Sequence, residues 1–350
     1  MKCVFMEINK RKHDPSPILQ LGNSVLQSVP CAKYLGDILQ SNGSHNELVN
    51  DRTNKGNAIT ISATSISNEL SLGVHHTSIS LLIHDTILIP TILFNSQSWS
   101  NLTTSNLDKL STIQTTYLKR MMKAPKSTPN AFLFLELGIT PIKYQIHQRK
   151  LLFLRHLEDL PADDPTSKAY NQQKLYPYAK NWYNETMKLL ETYLLIESWN
   201  TKKPKHKWAN DVKKAISSYS YSALTQECKL KTKISNLEFT AYATQPYITK
   251  CPFHISSMLF KFRSKTINCK DNQHSSHTNL NCRLCNTQIE SQDHIINCDH
   301  IRNNNEIITL DVRSLTENCD MQLLNIIYKR YQDFLNKIQS NQTNNTQTQC

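Results

Sequence analysis

The chain has 350 residues, with 40 Lys and Arg against 28 Asp and Glu, a net charge of +12 and only 6 Gly. Its length suits two or three domains, and 39% hydrophobic residues suffice for a core, which excludes collagen, one long coiled coil and wholesale disorder. So few glycines, with no G-x-G-x-x-G or G-x-x-x-x-G-K run, exclude Gly-rich phosphate loops and turn-dense sandwiches or barrels.

In chain order, residues 1–15 hold no apolar run behind a basic start, so no secretory signal is expected and the 10 Cys read as reduced, intracellular thiols. Short strands are expected at 3–6, along 18–29 and around Tyr34-Leu35-Gly36. The hydrophobic period then lengthens, predicting helices over 58–72, 78–94 and 106–123, the last with Leu107, Leu110, Ile113, Tyr117 and Met121 on one stripe. The apolar run 79–94 is too short to span a membrane and contains His84, Asp85 and Pro90, so it reads as a core helix. A helix between Pro129 and Gly138 and a longer one over 142–160 follow.

A loop at 161–165 predicts a domain boundary, with weaker, loosely packed helices over 170–199 and 206–230 beyond it. A short amphipathic helix is expected at 255–262, a compact cysteine-rich unit at 282–298, a last helix at 321–338 and a disordered polar tail over 339–350.

Charge is uneven along the chain. Residues 1–140 hold 12 basic and 9 acidic side chains, 141–270 hold 22 and 10, and 271–350 hold 6 and 9, so the middle segment carries the excess. It is densest at Lys202, Lys203, Lys205, Lys207, Lys213 and Lys214, with Trp208, Tyr219 and Tyr221 nearby. Such a run is either a polyanion-binding stripe, where each cation meeting a phosphate releases counterions, or a solvated helix face.

The strongest chemical pattern is Cys282-x2-Cys285-x8-His294-x3-Cys298. Two cysteines two residues apart can offer both sulfurs from one tight turn, and a His and Cys four apart share a helical face. Three thiolates and one imidazole form the closed tetrahedral set of a structural Zn²⁺, which leaves no open position for a reacting water. His300 could substitute for His294 or Cys298, whereas Cys269 and Cys319 fall outside the spacing.

No complete active site is legible. Asp163 and Asp164 lie between Pro161 and Pro165 and read as a loop rather than a two-metal pair, and His75-His76 beside Gly73 lack a third ligand. No serine nucleophile elbow or His-Glu-x-x-His motif occurs.

The order of segments resembles non-LTR retrotransposon reverse transcriptases over roughly the first 300 residues. Lys33-Tyr34-Leu35-Gly36-Asp37-Ile38, with Arg52 and Lys55-Gly56, resembles the end of the palm; Ile89-Pro90-Thr91-Ile92-Leu93-Phe94 through Trp99 resembles a thumb helix. Ala124-Pro125-Lys126-Ser127-Thr128-Pro129, Leu135-Glu136-Leu137-Gly138, Pro141 and the stretch from Arg149 to Leu157 are similar to its continuation. Leu259-Phe260-Lys261-Phe262-Arg263-Ser264-Lys265 then leads into the cysteine unit, where the family carries a Cys-Cys-His-Cys knuckle.

The resemblance implies a mainly α fold: palm remnant with short strands at 1–50, thumb-like helical bundle at 51–160, basic helical linker at 161–270, zinc knuckle at 271–300 and helical segment at 301–338. It implies RNA or DNA as the partner, gripped by sequence-tolerant backbone contacts from the lysine run together with Lys261, Arg263, Lys265 and Arg283, and no membrane. It also implies that the catalytic aspartates, including a Tyr-x-Asp-Asp turn, would precede Lys2-Cys3-Val4-Phe5, so the chain binds nucleic acid without polymerising alone. Mg²⁺ would enter only with a catalytic palm, upstream or separately encoded, and the expected location is nuclear. The alternative is a helical protein-interaction scaffold with a purely structural zinc site.

Overall fold

The computed structural model describes residues 3–8, 10, 15, 17–69, 76–239, 241–273, 279–302 and 307–347. Gly73, His75 and the last three residues of the expected tail lie outside them. The chain is mainly helical with a few short strands. The strands are β1 (Val4–Phe5), β2 (Gln20–Leu21), β3 (Ser24–Val25), β4 (Gln27–Ser28), β5 (Cys31–Tyr34) and β6 (Asp37–Gln40). The first helices are α1 (Asn46–Glu69), α2 (His76–Ile83), α3 (Ile89–Ile92), α4 (Thr104–Met121), α5 (Asn130–Leu137) and α6 (Ile142–Glu158). The middle of the chain adds α7 (Pro165–Lys174), α8 (Trp182–Thr192), α9 (Ile196–Asn200) and α10 (Lys205–Lys229). Then come α11 (Pro246–Lys250), α12 (Phe253–Arg263), α13 (Gln292–Asn297), α14 (Val312–Asn318) and α15 (Met321–Gln347). None of the described helices is long and apolar enough to cross a membrane.

The chain divides into two compact units. The first holds Met1–Ala63, Ile83–Thr116 and Thr140–Ser220; the second holds Thr64–Leu82, Tyr117–Ile139 and Tyr221–Cys350. These units cut across the expected boundaries. The Pro161–Pro165 loop lies inside the first unit, where the helices after it share a core with α6.

In the first unit, β5 and β6 pair antiparallel across a two-residue turn in which Leu35 and Gly36 both take positive φ, the geometry that matches strand twist in a tight hairpin. The turn is clamped from α1. Arg52 donates to Gly36 O at 3.0 Å and to Asp37 Oδ1 at 2.7 Å, while Asn95 donates to the other Asp37 oxygen at 2.5 Å. The expected single helix over 78–94 is instead α2, a π-helical turn over His84–Leu88, and α3. Pro90 explains the wider turn: it has no N–H, its ring crowds the carbonyl four residues back, and Ile89 N–H bonds His84 O.

The other core of this unit joins Leu151, Leu154 and Leu157 of α6 to Tyr170, Trp182, Leu190 and Tyr193, and to Trp208, Val212 and Ile216 of α10. Trp208 is buried and donates its indole N–H to Leu151 O at 3.1 Å. The region expected to pack loosely is therefore anchored by Trp208 with Val212 and Ile216, at i, i+4 and i+8 on one helical face.

In the second unit, α5 is buried from Ala131 to Leu137, acidic Glu136 included. Pro129 and Gly138 bound it, as the sequence predicts. Gly138 closes the helix at φ +64, and a Cβ there would lie 2.5 Å from the backbone of Ala243 and Thr244. Leu137 and Thr244 form a β-bridge, so that backbone cannot retreat. Gly138→Ala should therefore cost about 2 kcal/mol or more, from left-handed strain plus the clash, read as a lowered urea midpoint. An unchanged midpoint would contradict the packing described. The last helix, α15, runs to Gln347 rather than ending at Ile338, so the polar segment after 338 begins as helix and not as a disordered tail.

Candidate metal centre

The cysteine-rich segment hangs on a small antiparallel bridge between Asn281 and Ile289. Cys282 N–H donates to Gln288 O at 2.7 Å, and Asn286, at φ 55, returns its N–H to Cys282 O at 2.9 Å. This tight turn places Cys282 and Cys285 on one side. Ser291 caps α13 by accepting from His294 N–H at 3.1 Å, which starts the helix that presents His294, with Cys298 at its end.

The ligand atoms of Cys282, Cys285, His294 and Cys298 lie within 4.8 Å of one another. The Cys282 and Cys298 sulfurs are 3.9 Å apart, and Cys285 Sγ is 3.3 Å from His294 Nε2. Metal–sulfur bonds of about 2.3 Å in a tetrahedron give sulfur–sulfur edges of about 3.8 Å. The cluster can hold a metal ion, and its donor set and spacing are compatible with zinc. His300, the alternative ligand, is exposed and outside the cluster.

Neighbouring groups prepare the ligands. His294 Nδ1 lies 2.8 Å from Gln288 Oε1, an acceptor, so the ring proton belongs on Nδ1 and the Nε2 lone pair faces the sulfurs. Burial pushes the Cys282 thiol up and the Cys298 thiol up to about 12. Burial also raises Cys285, but hydrogen bonds from the Thr287 hydroxyl, at 3.2 Å, and from backbone N–H groups outweigh it and bring Cys285 down to about 6. An incoming cation must therefore displace protons from the two buried thiols. Gln288 and Thr287 carried no signal in the spacing; the Ser291-to-His294 cap did, as a serine three residues before the first helical turn closes.

The cluster is braced by an ion pair. Arg283 meets fully buried Glu290 with Nη2 at 2.7 Å and Nε at 3.0 Å from both oxygens. Its backbone N–H donates to the same carboxylate at 2.8 Å. Arg283 is thus occupied in holding the turn, not presented to a phosphate. Ile295 and Ile296 are buried, and Arg330 of α15 donates to Ile296 O at 3.3 Å.

The basic residues divide sharply. Lys202, Lys205, Lys207, Lys213 and Lys214 are exposed, and Lys203 half-buried. Lys203 pairs with Asp211 at 2.6 Å and Lys205 with Asp159 at 3.4 Å, whereas Lys207, Lys213 and Lys214 make no ion pair among the described residues. Lys265 is exposed and donates to Gln292 at 2.8 Å; Lys261 is half-buried. Arg263 does not face solvent. It is buried with its Nε 2.6 Å from Glu136 Oε1, so a phosphate role is excluded by the cost of stripping an internal carboxylate of its counterion.

Asp164 caps α7, accepting from Thr166 N–H and Ser167 N–H at 2.7 and 3.2 Å, which explains the Asp163-Asp164 pair without a metal. His76 is buried against Phe253, ring centroids 3.8 Å apart, and takes no part in a metal cluster among the described residues. Compared with protein-family models, with curated proteins and with solved structures, the chain matches none.

Proposed function

We propose that the chain is a nucleic-acid-binding protein that grips RNA or DNA backbone through α10 and is stapled by a structural Zn²⁺ at Cys282, Cys285, His294 and Cys298. The observation that carries this reading is the division of α10. Trp208, Val212 and Ile216 are locked into a core while Lys207, Lys213 and Lys214 stand in solvent and make no ion pair among the described residues. A rigid helix holding uncompensated cations meets a polyanion at little entropic cost, and backbone contacts of this kind do not discriminate sequence.

The reverse-transcriptase resemblance supplies the context. In that reading the clamped Tyr34–Asp37 turn ends a palm, the helices after it form a thumb, and the cysteine cluster is the terminal knuckle. In this reading the chain contributes nucleic-acid binding, and DNA synthesis would require a catalytic palm with its Mg²⁺. A nuclear location goes with this reading.

Exchanging Lys207, Lys213 and Lys214 for Gln should weaken binding of a single-stranded RNA. It should also reduce the slope of log affinity against log salt by about 2, at about 0.7 for each lost contact. Thermal stability should not move. Binding that is unchanged in affinity and salt dependence would leave α10 a solvated face and favour the interaction-scaffold alternative.

A further inference from the structure

The second unit holds a cationic cluster of its own, built from acid-free stretches of sequence. No Asp or Glu occurs between Asp108 and Glu136, or between Glu238 and Asp271. The end of α4 comes from the first stretch and all of α12 from the second. Along α12, Phe253, Ser257 and Lys261 recur at i, i+4 and i+8 and so share one face. Ser257 Oγ donates to Met122 O at 2.8 Å, which docks that face on the end of α4. Lys123 Nζ then lies 5.3 Å from the centre of the Phe253 ring, and buried His76 stacks on the same ring.

These cations oppose one another. Burial lowers the Lys261 ammonium, and the charge of Lys123 lowers it further. His76 is lowered by burial and again by Lys123, and its Nδ1 is buried with no hydrogen-bond partner. Burial also lowers Lys119, one turn before Lys123. Among the described residues neither Lys123 nor Lys261 pairs with a carboxylate, in contrast to Arg263 two residues on.

Helix capping does not account for Lys123 or Lys261. Met122 N–H bonds Leu118 O, Ala124 N–H bonds Lys119 O at 2.8 Å, Lys123 N–H bonds Arg120 O at 3.0 Å, and Ser257 takes Met122 O. The terminal carbonyls are thus met by backbone and serine, and Lys126 O by the Lys119 ammonium at 2.8 Å, leaving the Lys123 and Lys261 ammonium groups for an external anion. Like charges held together at a partly desolvated surface are relieved by a ligand of opposite sign.

We propose that Lys123 and Lys261 form a second phosphate-binding subsite, in which the two ammonium groups grip the phosphodiester backbone of a nucleic acid. The site rests on the nucleic-acid reading for its ligand but is independent of α10 for its residues. The test is fluorescence anisotropy of the full chain with labelled oligouridine RNA and oligothymidine DNA over a salt series. The variants are K123Q/K261Q and, to retain charge, K123R/K261R. The Gln pair should weaken binding roughly 10- to 30-fold at 0.1 M salt and reduce the salt slope by about 1.4, whereas the Arg pair should bind as the original chain does. The oligonucleotide that shows the larger loss identifies the preferred backbone. If the original chain binds and the Gln pair matches it in affinity and slope, the subsite is wrong while the α10 reading stands. If the original chain binds neither oligonucleotide at low salt, both fall.

Discussion

Removing the metal from the purified chain should collapse the segment around residues 280–300. The physical reason is the poverty of its core. Ile295 and Ile296 are buried, but Leu280 and Leu284 are only half-buried, Ile289 is exposed and the remainder is mostly polar or charged, too little apolar surface to order by itself. In small zinc modules the ion supplies about 10–16 kcal/mol of apparent binding energy, and that energy is folding energy. The protein should carry one zinc ion per chain by elemental analysis. A strong chelator should remove it, with loss of hydrogen-exchange protection confined to this segment and to the part of α15 beneath it. Co²⁺ in its place should give the ligand-field bands of a tetrahedral site with sulfur-to-metal charge transfer. Cys298→Ser should lose both metal and protection, and Cys31→Ser, an exposed thiol elsewhere, should lose neither. A metal-free protein whose segment keeps its protection would remove the centre from the account.

How far the sequence spoke depended on the range of the interaction. The Cys-Cys-His-Cys cluster was legible because its spacing is local, and α4 and α5 because a buried stripe or a bounding Pro and Gly fixes a helix within its own residues. The hairpin turn was marked by Tyr34-Leu35-Gly36, but not its clamp, since Asn95 bonds Asp37 from 58 positions away. Charge was legible as a total and misleading residue by residue. Arg283 and Arg263 look like free cations until Glu290 and Glu136 fold against them, the second from 127 positions away. Trp208 reads from sequence as a companion of the lysine run rather than a core residue, because its partner at Leu151 lies 57 residues earlier. Lys123 and Lys261 acquired meaning only when Ser257 docked α12 on α4.

Arg263→Met should destabilise the chain by about 3–5 kcal/mol, the usual cost of leaving an internal charge without its partner. Glu136 is wholly buried, and it holds Arg263 Nε at 2.6 Å and the Tyr247 hydroxyl at 2.6 Å on the same oxygen. Arg263 also reaches Thr316 at 3.4 Å, so the pair ties α5, α11, α12 and α14 together. Burial raises the Glu136 carboxyl while Arg263 opposes the rise; without the arginine nothing of comparable strength holds the proton off. In the variant the folded state keeps a proton that the unfolded chain gives up, so stability should fall as pH rises through the ordinary carboxylate range and the deficit should be smallest in acid. Pairing the change with Glu136→Gln should recover much of the loss, a coupling that a double-mutant cycle in urea measures directly. A surface arginine meeting phosphate would behave in the opposite way: Arg263→Met would weaken RNA binding at an unchanged melting temperature, and Glu136→Gln would rescue nothing.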